Sequence, residues 1–89
     1  MKACTLSPKG RAAQTDRFTR ARAFVDTIDR APTSLTVRFS PGVDERSLLE
    51  LVATERECCS FLDIAYNDRV LRIASDDPVD VDPFEELLR

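Results

Sequence analysis

The apolar residues near the start of the chain recur first with the period of a strand and then with that of a helix. Alternation over Lys2–Leu6 predicts a short strand. Ser7 suits a helix N-cap and Pro8 suits the first helical position, so we expect a helix to begin there. The helix is predicted to run to about Asp29, because apolar residues follow at spacings of three and four: Phe18, Ala21, Val25 and Ile28.

A second strand and a second helix follow. Leu35–Phe39 alternates apolar and polar residues, as a half-buried strand does, and Pro41-Gly42 ends it. Asp44 is an N-cap for a helix predicted to run to about Cys59. The inward stripe of this helix combines apolar residues, one carboxylate and two thiols: Leu48, Leu51, Val52, Glu55, Cys58 and Cys59. The carboxylate is unexpected, because Glu is rarely buried without a partner.

Two further segments predict a β-hairpin. Phe61–Tyr66 and Arg69–Ala74 are strand-like, and Asn67-Asp68 between them tolerates the positive φ angles of a two-residue turn. The predicted register pairs apolar with apolar residues on one face and opposite charges on the other. The pairs are Ile64 with Leu71 and Leu62 with Ile73, then Asp63 with Arg72 and Ala65 with Val70.

The end of the chain predicts a turn and a short helix. Asp76-Asp77-Pro78 is turn-like, and Asp82-Pro83 resembles a cap followed by a helical proline, before the apolar residues Phe84, Leu87 and Leu88. The predicted order is therefore β-α-β-α-β-β-α in a single domain over residues 1–89. This order fits an α/β (α+β) two-layer sandwich, with a mixed or mostly antiparallel sheet and helices on one face.

Composition narrows the classes of protein. No apolar run approaches the roughly 20 residues that span a bilayer, and no signal-like segment follows Met1, so we expect a cytoplasmic protein without a membrane partner. A net charge of -3 makes nucleic acid an unfavourable partner. Residues 1–30 are locally basic, which fits a solvated helix better than a phosphate-binding one. Three cysteines, two of them adjacent, do not form a disulfide framework, so we expect reduced thiols.

The cysteines and Glu55 form the strongest chemical signal. Glu55 precedes Cys58 and Cys59 by one helical turn, so its carboxylate can lie beside both thiols. Cys4 faces inward with Leu6 on the first strand and would reach the same place if that strand lies under the second helix. Three thiolates and a carboxylate suit a thiophilic ion such as mercury, trivalent arsenic or copper(I). Zinc is less favoured, because the chain has no His and the cysteines are poorly spaced.

A purely structural role competes with this site. Free cysteine is often buried as a small apolar residue. A helix C-terminus and the carboxylates of Glu55 and Glu57 disfavour the thiolate forms of Cys58 and Cys59 in the absence of a cation. Glu55 itself could pair with an arginine of the first helix or cap backbone amides.

A segment shared with a known group adds to this picture. Ala3-Cys4-Thr5-Leu6, a helix, and then Glu55-Arg56-Glu57-Cys58-Cys59-Ser60-Phe61 resemble a group of small bacterial domains with a Cys-Thr-Leu start and a Glu-x-x-Cys-Cys-x-Phe segment. The resemblance covers nearly the whole chain, which departs from the group in a short connection after the first helix. Members stand alone or are joined to regulators of the mercury-resistance type. The resemblance implies a heavy-metal response and a site at Cys4, Glu55, Cys58 and Cys59.

Three hypotheses follow. The first is a cytoplasmic protein that binds a soft metal or metalloid through Cys4, Cys58 and Cys59, with Glu55 orienting the thiols or accepting their protons. The second is a regulatory or protein-interaction module with structural cysteines, working as a homodimer or with a regulator partner. The third, a thiol-dependent enzyme, is disfavoured by the absence of His and of Cys-x-x-Cys spacing.

Overall fold

A computed structural model of the chain describes residues 8–58 and 61–89, with the backbone alone at Cys58. Three helices and four strands lie in that part, in the order α-β-β-α-β-β-α. The predicted α/β class is confirmed, whereas the predicted strand at residues 2–6 and the Ser7 cap lie outside the described residues. The elements are α1 (Pro8–Arg22), β1 (Val25–Ala31), β2 (Ser34–Phe39), α2 (Glu45–Cys58), β3 (Asp63–Asn67), β4 (Val70–Ala74) and α3 (Pro78–Leu88).

The four strands form one sheet in the order β1-β2-β4-β3, and every pairing is antiparallel. Side chains alternate across the sheet, so each strand gives one face to the core. The core face of the sheet carries six apolar residues that are at most 4% exposed, Leu35, Val37, Phe39, Leu71, Ile73 and Ile64, and the half-buried Tyr66 of β3 packs against them. The other face carries exposed or half-buried residues throughout the described part.

The helices form the second layer, on the apolar face of the sheet. α1 contacts both α2 and α3, while α2 lies against β3 and α3 against β2. The rings of Phe18 on α1 and Phe84 on α3 meet with centroids 5.8 Å apart and planes tilted by 47°. Such tilted aromatic contacts are favourable beyond the apolar area they bury. The predicted arrangement of helices on one face of a mostly antiparallel sheet is therefore confirmed.

The predicted extent of the first helix is wrong. α1 begins at Pro8 as expected but ends at Arg22, and Val25–Ala31 forms the edge strand β1. Phe18 lies on α1 and is buried, whereas Val25 and Ile28 lie on β1 and are half-buried. Their spacing of three continues the helical stripe by coincidence, while their β-branched side chains favour a strand. Pairing with β2 decides the outcome, because it gives β1 a regular ladder from Thr27 to Ala31, with an irregularity between Val25 and Thr27.

The hairpin of β3 and β4 exists, but its predicted register is wrong by two residues. Ile64 pairs with Ile73 instead of Leu71, and the turn residues are Asp68 and Arg69, both at positive φ. A shift of two preserves the face of every side chain, so the predicted inner and outer sets stand. The register follows from the turn, because moving a two-residue turn one position along the chain moves every cross-strand pair by two.

The predicted start of the last helix is also wrong. α3 begins at Pro78, and the Asp77 side chain caps it by accepting from the Val79 amide at 3.0 Å. Pro83, the expected first helical residue, lies inside the helix. Aspartate followed by proline occurs twice, and the earlier pair brings a further apolar residue, Val81, into the core with no measurable exposure.

Candidate functional site at the interface of helices α1 and α2

Helices α1 and α2 pack antiparallel to each other. Gln14 of α1 contacts Glu55 of α2, and Arg17 contacts Glu50, so the partner's number falls as the α1 number rises. The last turn of α1 and the first turns of α2 line one groove, which continues the same trend. The first residue of α1, Pro8, therefore lies at the same end of the helix pair as the last residue of α2, Cys58.

Glu55 is buried in this interface, as the inward stripe predicts. Glu55 is only 6% exposed, and Gln14, which faces it from α1, is 4% exposed. The Gln14 Nε2 atom donates to Glu55 Oε1 at 3.0 Å. These two are the only buried polar residues in the described part of the chain. Burying such groups without partners would be costly, so the pair lowers the cost for both.

Gln14 is held in one orientation by three hydrogen bonds. Besides Glu55, its Nε2 donates to the Leu51 carbonyl at 2.9 Å, and its Oε1 accepts from Arg17 Nη1 at 2.8 Å. Arg17 also lies 3.6 Å from a carboxylate oxygen of Glu50. The side-chain amide of Gln14 thus donates both of its hydrogens to groups of α2. The carboxylate of Glu55 therefore meets a neutral group of α1 instead of a cation.

Sequence reasoning missed Gln14, although a signal was present. It considered an arginine of the first helix or backbone amides as partners of Glu55, whereas the structure supplies a glutamine. Gln14 lies four residues before Phe18 and seven before Ala21, so it belongs to the buried stripe of α1. One inward polar residue on each of two helices that pack together is the pattern that predicts such a pair.

Arg56 links the last turn of α2 to strand β3. Its Nε and Nη2 atoms both donate to the Ile64 carbonyl, at 2.9 and 2.7 Å. A guanidinium fork of this kind fixes both distance and direction. The last turn of α2 is therefore held against the first residues of β3, and the ends of the Cys58–Phe61 connection are set by the fold.

The other predicted site residues, or their side chains, lie outside the part of the chain that the structure describes. Cys4 and Cys59 lie outside the described residues, and so does the side chain of Cys58. Within residues 8–58 and 61–89, no three His, Cys, Asp or Glu side chains form a group able to hold a metal ion. Glu55 is thus buried on the inward stripe as expected, whereas its place beside the thiols and the convergence of the three thiols stay predictions.

Comparisons with known proteins identify no relative of this chain. No protein-family model, no curated protein and no solved structure matches it significantly. None of the described helices has the length and apolarity needed to cross a membrane.

Proposed function

We propose that this chain is a cytoplasmic binding protein for a thiophilic metal or metalloid ion, of the mercury or arsenic kind, with Cys4, Cys58 and Cys59 as ligands. The observation that carries the proposal is the buried carboxylate of Glu55, one turn before Cys58, at the end of α2 where α1 begins. The resemblance to domains linked with mercury-resistance-type regulators makes a heavy-metal response the corresponding role.

The antiparallel packing sets Pro8, four residues after Cys4 in the sequence, at the same end of the helix pair as Cys58. From Gln14 to Pro8, α1 rises about 9 Å, and from Glu55 to Cys58, α2 rises about 4.5 Å in the same direction. Cys4 precedes Pro8 by four residues, a span of at most about 14 Å. Cys4 is thus within reach of the end of α2, which the order of the residues alone would not suggest.

The same packing improves the electrostatics of the thiolates. The C-terminus of α2 carries partial negative charge, which disfavours thiolates at Cys58 and Cys59. The N-terminus of α1, at the same end, carries partial positive charge, and its first turn has no acidic residue. The positive end of α1 therefore offsets part of the unfavourable effect of the negative end of α2 on the thiolates. A bound cation would favour the thiolate forms further.

Gln14 gives Glu55 a fixed place beside the site. Ion binding by thiols releases protons, and a nearby carboxylate is a suitable acceptor. An arginine in place of Gln14 would offset the carboxylate charge directly, whereas the amide only orients it. In this proposal Glu55 and Gln14 act as the outer partners that position metal ligands in many proteins.

The test is a titration of the reduced protein with mercury(II), arsenite, copper(I) and zinc, followed by thiolate–metal absorption. We expect one soft ion per chain and its loss in Cys4→Ser, Cys58→Ser and Cys59→Ser. Glu55→Gln and Gln14→Met should weaken binding about 10- to 100-fold, the usual effect of removing an outer partner.

Glu50→Gln is the matched control, because Glu50 lies on the same helix with a side chain 57% exposed and should leave the affinity unchanged. Melting temperatures of all variants separate folding from binding. If affinity is unchanged in Glu55→Gln and in the three serine variants, the metal site is wrong and the interaction module becomes the better account.

A further inference from the structure

The face of the sheet opposite the helices presents charges that have no partner within the described chain. Asp29 on β1 and Arg72 on β4 both pair across the backbone with Thr36 of β2, one from each side. They are therefore two strand spacings, about 9.6 Å, apart. Neither makes an ion pair among the described residues, and both are exposed.

We propose that this face binds a second copy of the chain, around a twofold axis that runs parallel to β2, between the two sheets and over Thr36. Strands β1 and β4 flank β2 at equal distances, so this axis places β1 of one copy over β4 of the other. Asp29 then faces Arg72 of the second copy, and the symmetry makes the contact twice. Sheets packed face to face keep their strands within about 30° of each other, which a twofold axis along one strand permits.

The neighbouring rows of the sheet match in the same way. Ala31 and Ala74 both pair with Ser34, so the axis sets one alanine over the other. Thr27 and Val70 both pair with Arg38, so a threonine methyl meets a valine. Small residues allow the two sheets to approach closely. Each row of residues across β1, β2 and β4 faces the same row of the second copy, as an isologous interface requires.

One residue opposes the dimer. Arg38 lies on β2 itself, so the axis brings it near its own copy, and like charges repel. Three short strands also cover less than the roughly 800 Å² per partner of a standard interface. The dimer is therefore weak, with a dissociation constant on the order of micromolar.

The experiment is sedimentation equilibrium of the reduced chain from low to high micromolar concentration. We expect the parent chain to dimerise, Arg72→Asp and Asp29→Arg each to raise the dissociation constant at least about tenfold by like-charge contact, and the double variant to restore it. Arg38→Thr should lower the dissociation constant, because it removes the repulsion at the axis.

Asp63→Arg is the control, since β3 lies beyond the overlap of the two sheets and its charge should not matter. A monomer at high micromolar concentration overturns the proposal. A dimer that is insensitive to both single variants, or a double variant no tighter than the singles, shows that another face is used. Circular dichroism of each variant verifies that these exposed substitutions leave the fold intact.

Discussion

Arg30 joins the first hairpin to the last helix. Its guanidinium lies 2.9 Å from both Asp82 and Glu85 of α3 and also donates to the Pro78 carbonyl. The hydrogen bond to Asp82, and then that to Glu85, hold the pKa of Arg30 above the ordinary value. A lysine has one compact charged group and cannot make these bonds together. We expect Arg30→Lys to lower the melting temperature clearly. Arg20→Lys is the control, because Arg20 binds one exposed carboxylate, and an equal loss there would contradict the assignment.

Glu85 gives the chain a pH-dependent contact. Hydrogen bonds from Arg89 and then Arg30 lower the pKa of Glu85 below its ordinary 4.5. The unfolded chain therefore binds a proton at Glu85 more readily, so this stabilisation is present above pH 4.5 and is lost as the pH falls through the folded pKa. We expect Glu85→Gln to melt below the parent chain at neutral pH, with the difference shrinking in acid. A constant difference at all pH values would exclude this role.

Tyr66 offers a direct spectroscopic test of the fold, because it is the only tyrosine and the chain has no tryptophan. Burial, followed by the 2.7 Å hydrogen bond to Glu45, raises the pKa of Tyr66 to about 12. We expect tyrosinate absorption to appear with a midpoint near that value, and at lower pH in Glu45→Gln. A midpoint at the ordinary 10 in the parent chain would mean that the hydroxyl is not held against α2.

Among the elements, the β3–β4 hairpin carries a strained turn. Asp68 and Arg69 have φ angles of 50° and 64°, a region that suits Asp better than Arg and glycine best of all. We expect Arg69→Gly to raise the free energy of unfolding by roughly 0.5–1 kcal/mol. Glycine relieves the strain of the left-handed conformation, and the greater freedom that it gives the unfolded chain offsets part of this gain.

Arg69→Ala separates the two effects of that substitution, since it removes the side chain but keeps the strain. Chemical denaturation should show stabilisation in the glycine variant alone. Equal stabilities of the two variants would mean that the turn is not strained at this position.

Elements with an unambiguous pattern could be predicted, and those decided by distant contacts could not. β2 alternates strictly, and α2 has a capping Asp44, whose Oδ1 accepts from the Ser47 amide at 3.2 Å, so both were found. β1 was missed because Val25 and Ile28 are spaced like a helical stripe, and only an irregularity in the strand between Val25 and Thr27 lets both pack against the core. The hairpin register was wrong because local turn preferences favour Asn67-Asp68, whereas the turn residues are Asp68 and Arg69.

The candidate site divides in the same way. Glu55 was predictable because a carboxylate on an apolar stripe violates a simple rule and so attracts attention. Gln14 was missed although it lies on the buried stripe of α1, because its role appears only when the packing of α1 against α2 sets it opposite Glu55. The three-thiol arrangement stays a prediction, resting on the end of the helix pair at which Pro8 and Cys58 lie.

At the scale of the whole molecule, the two proposed surfaces lie on opposite sides of one sheet. The ion site is proposed at one end of the α1–α2 pair in the helix layer, whereas the proposed dimer face is the uncovered side of β1, β2 and β4. Between them lies a close-packed apolar layer in which Leu35, Val37 and Leu71 have no measurable exposure. A layer of this kind separates the two surfaces, and neither Glu55 nor Gln14 bonds to a residue of the sheet within the described chain.

This separation predicts that ion binding and dimerisation are independent. Effects at distant sites that share no partners add, so Arg72→Asp should bind a soft ion as tightly as the parent chain, and Glu55→Gln should dimerise as the parent does. The measurement is a metal titration at protein concentrations below and above the dimer dissociation constant, with the monomeric variant beside it. An affinity that changes with concentration in the parent, but not in Arg72→Asp, would show that the helix layer and the sheet face are coupled. Since coupling is reciprocal, the bound ion would then also have to change the dimer dissociation constant by the same factor.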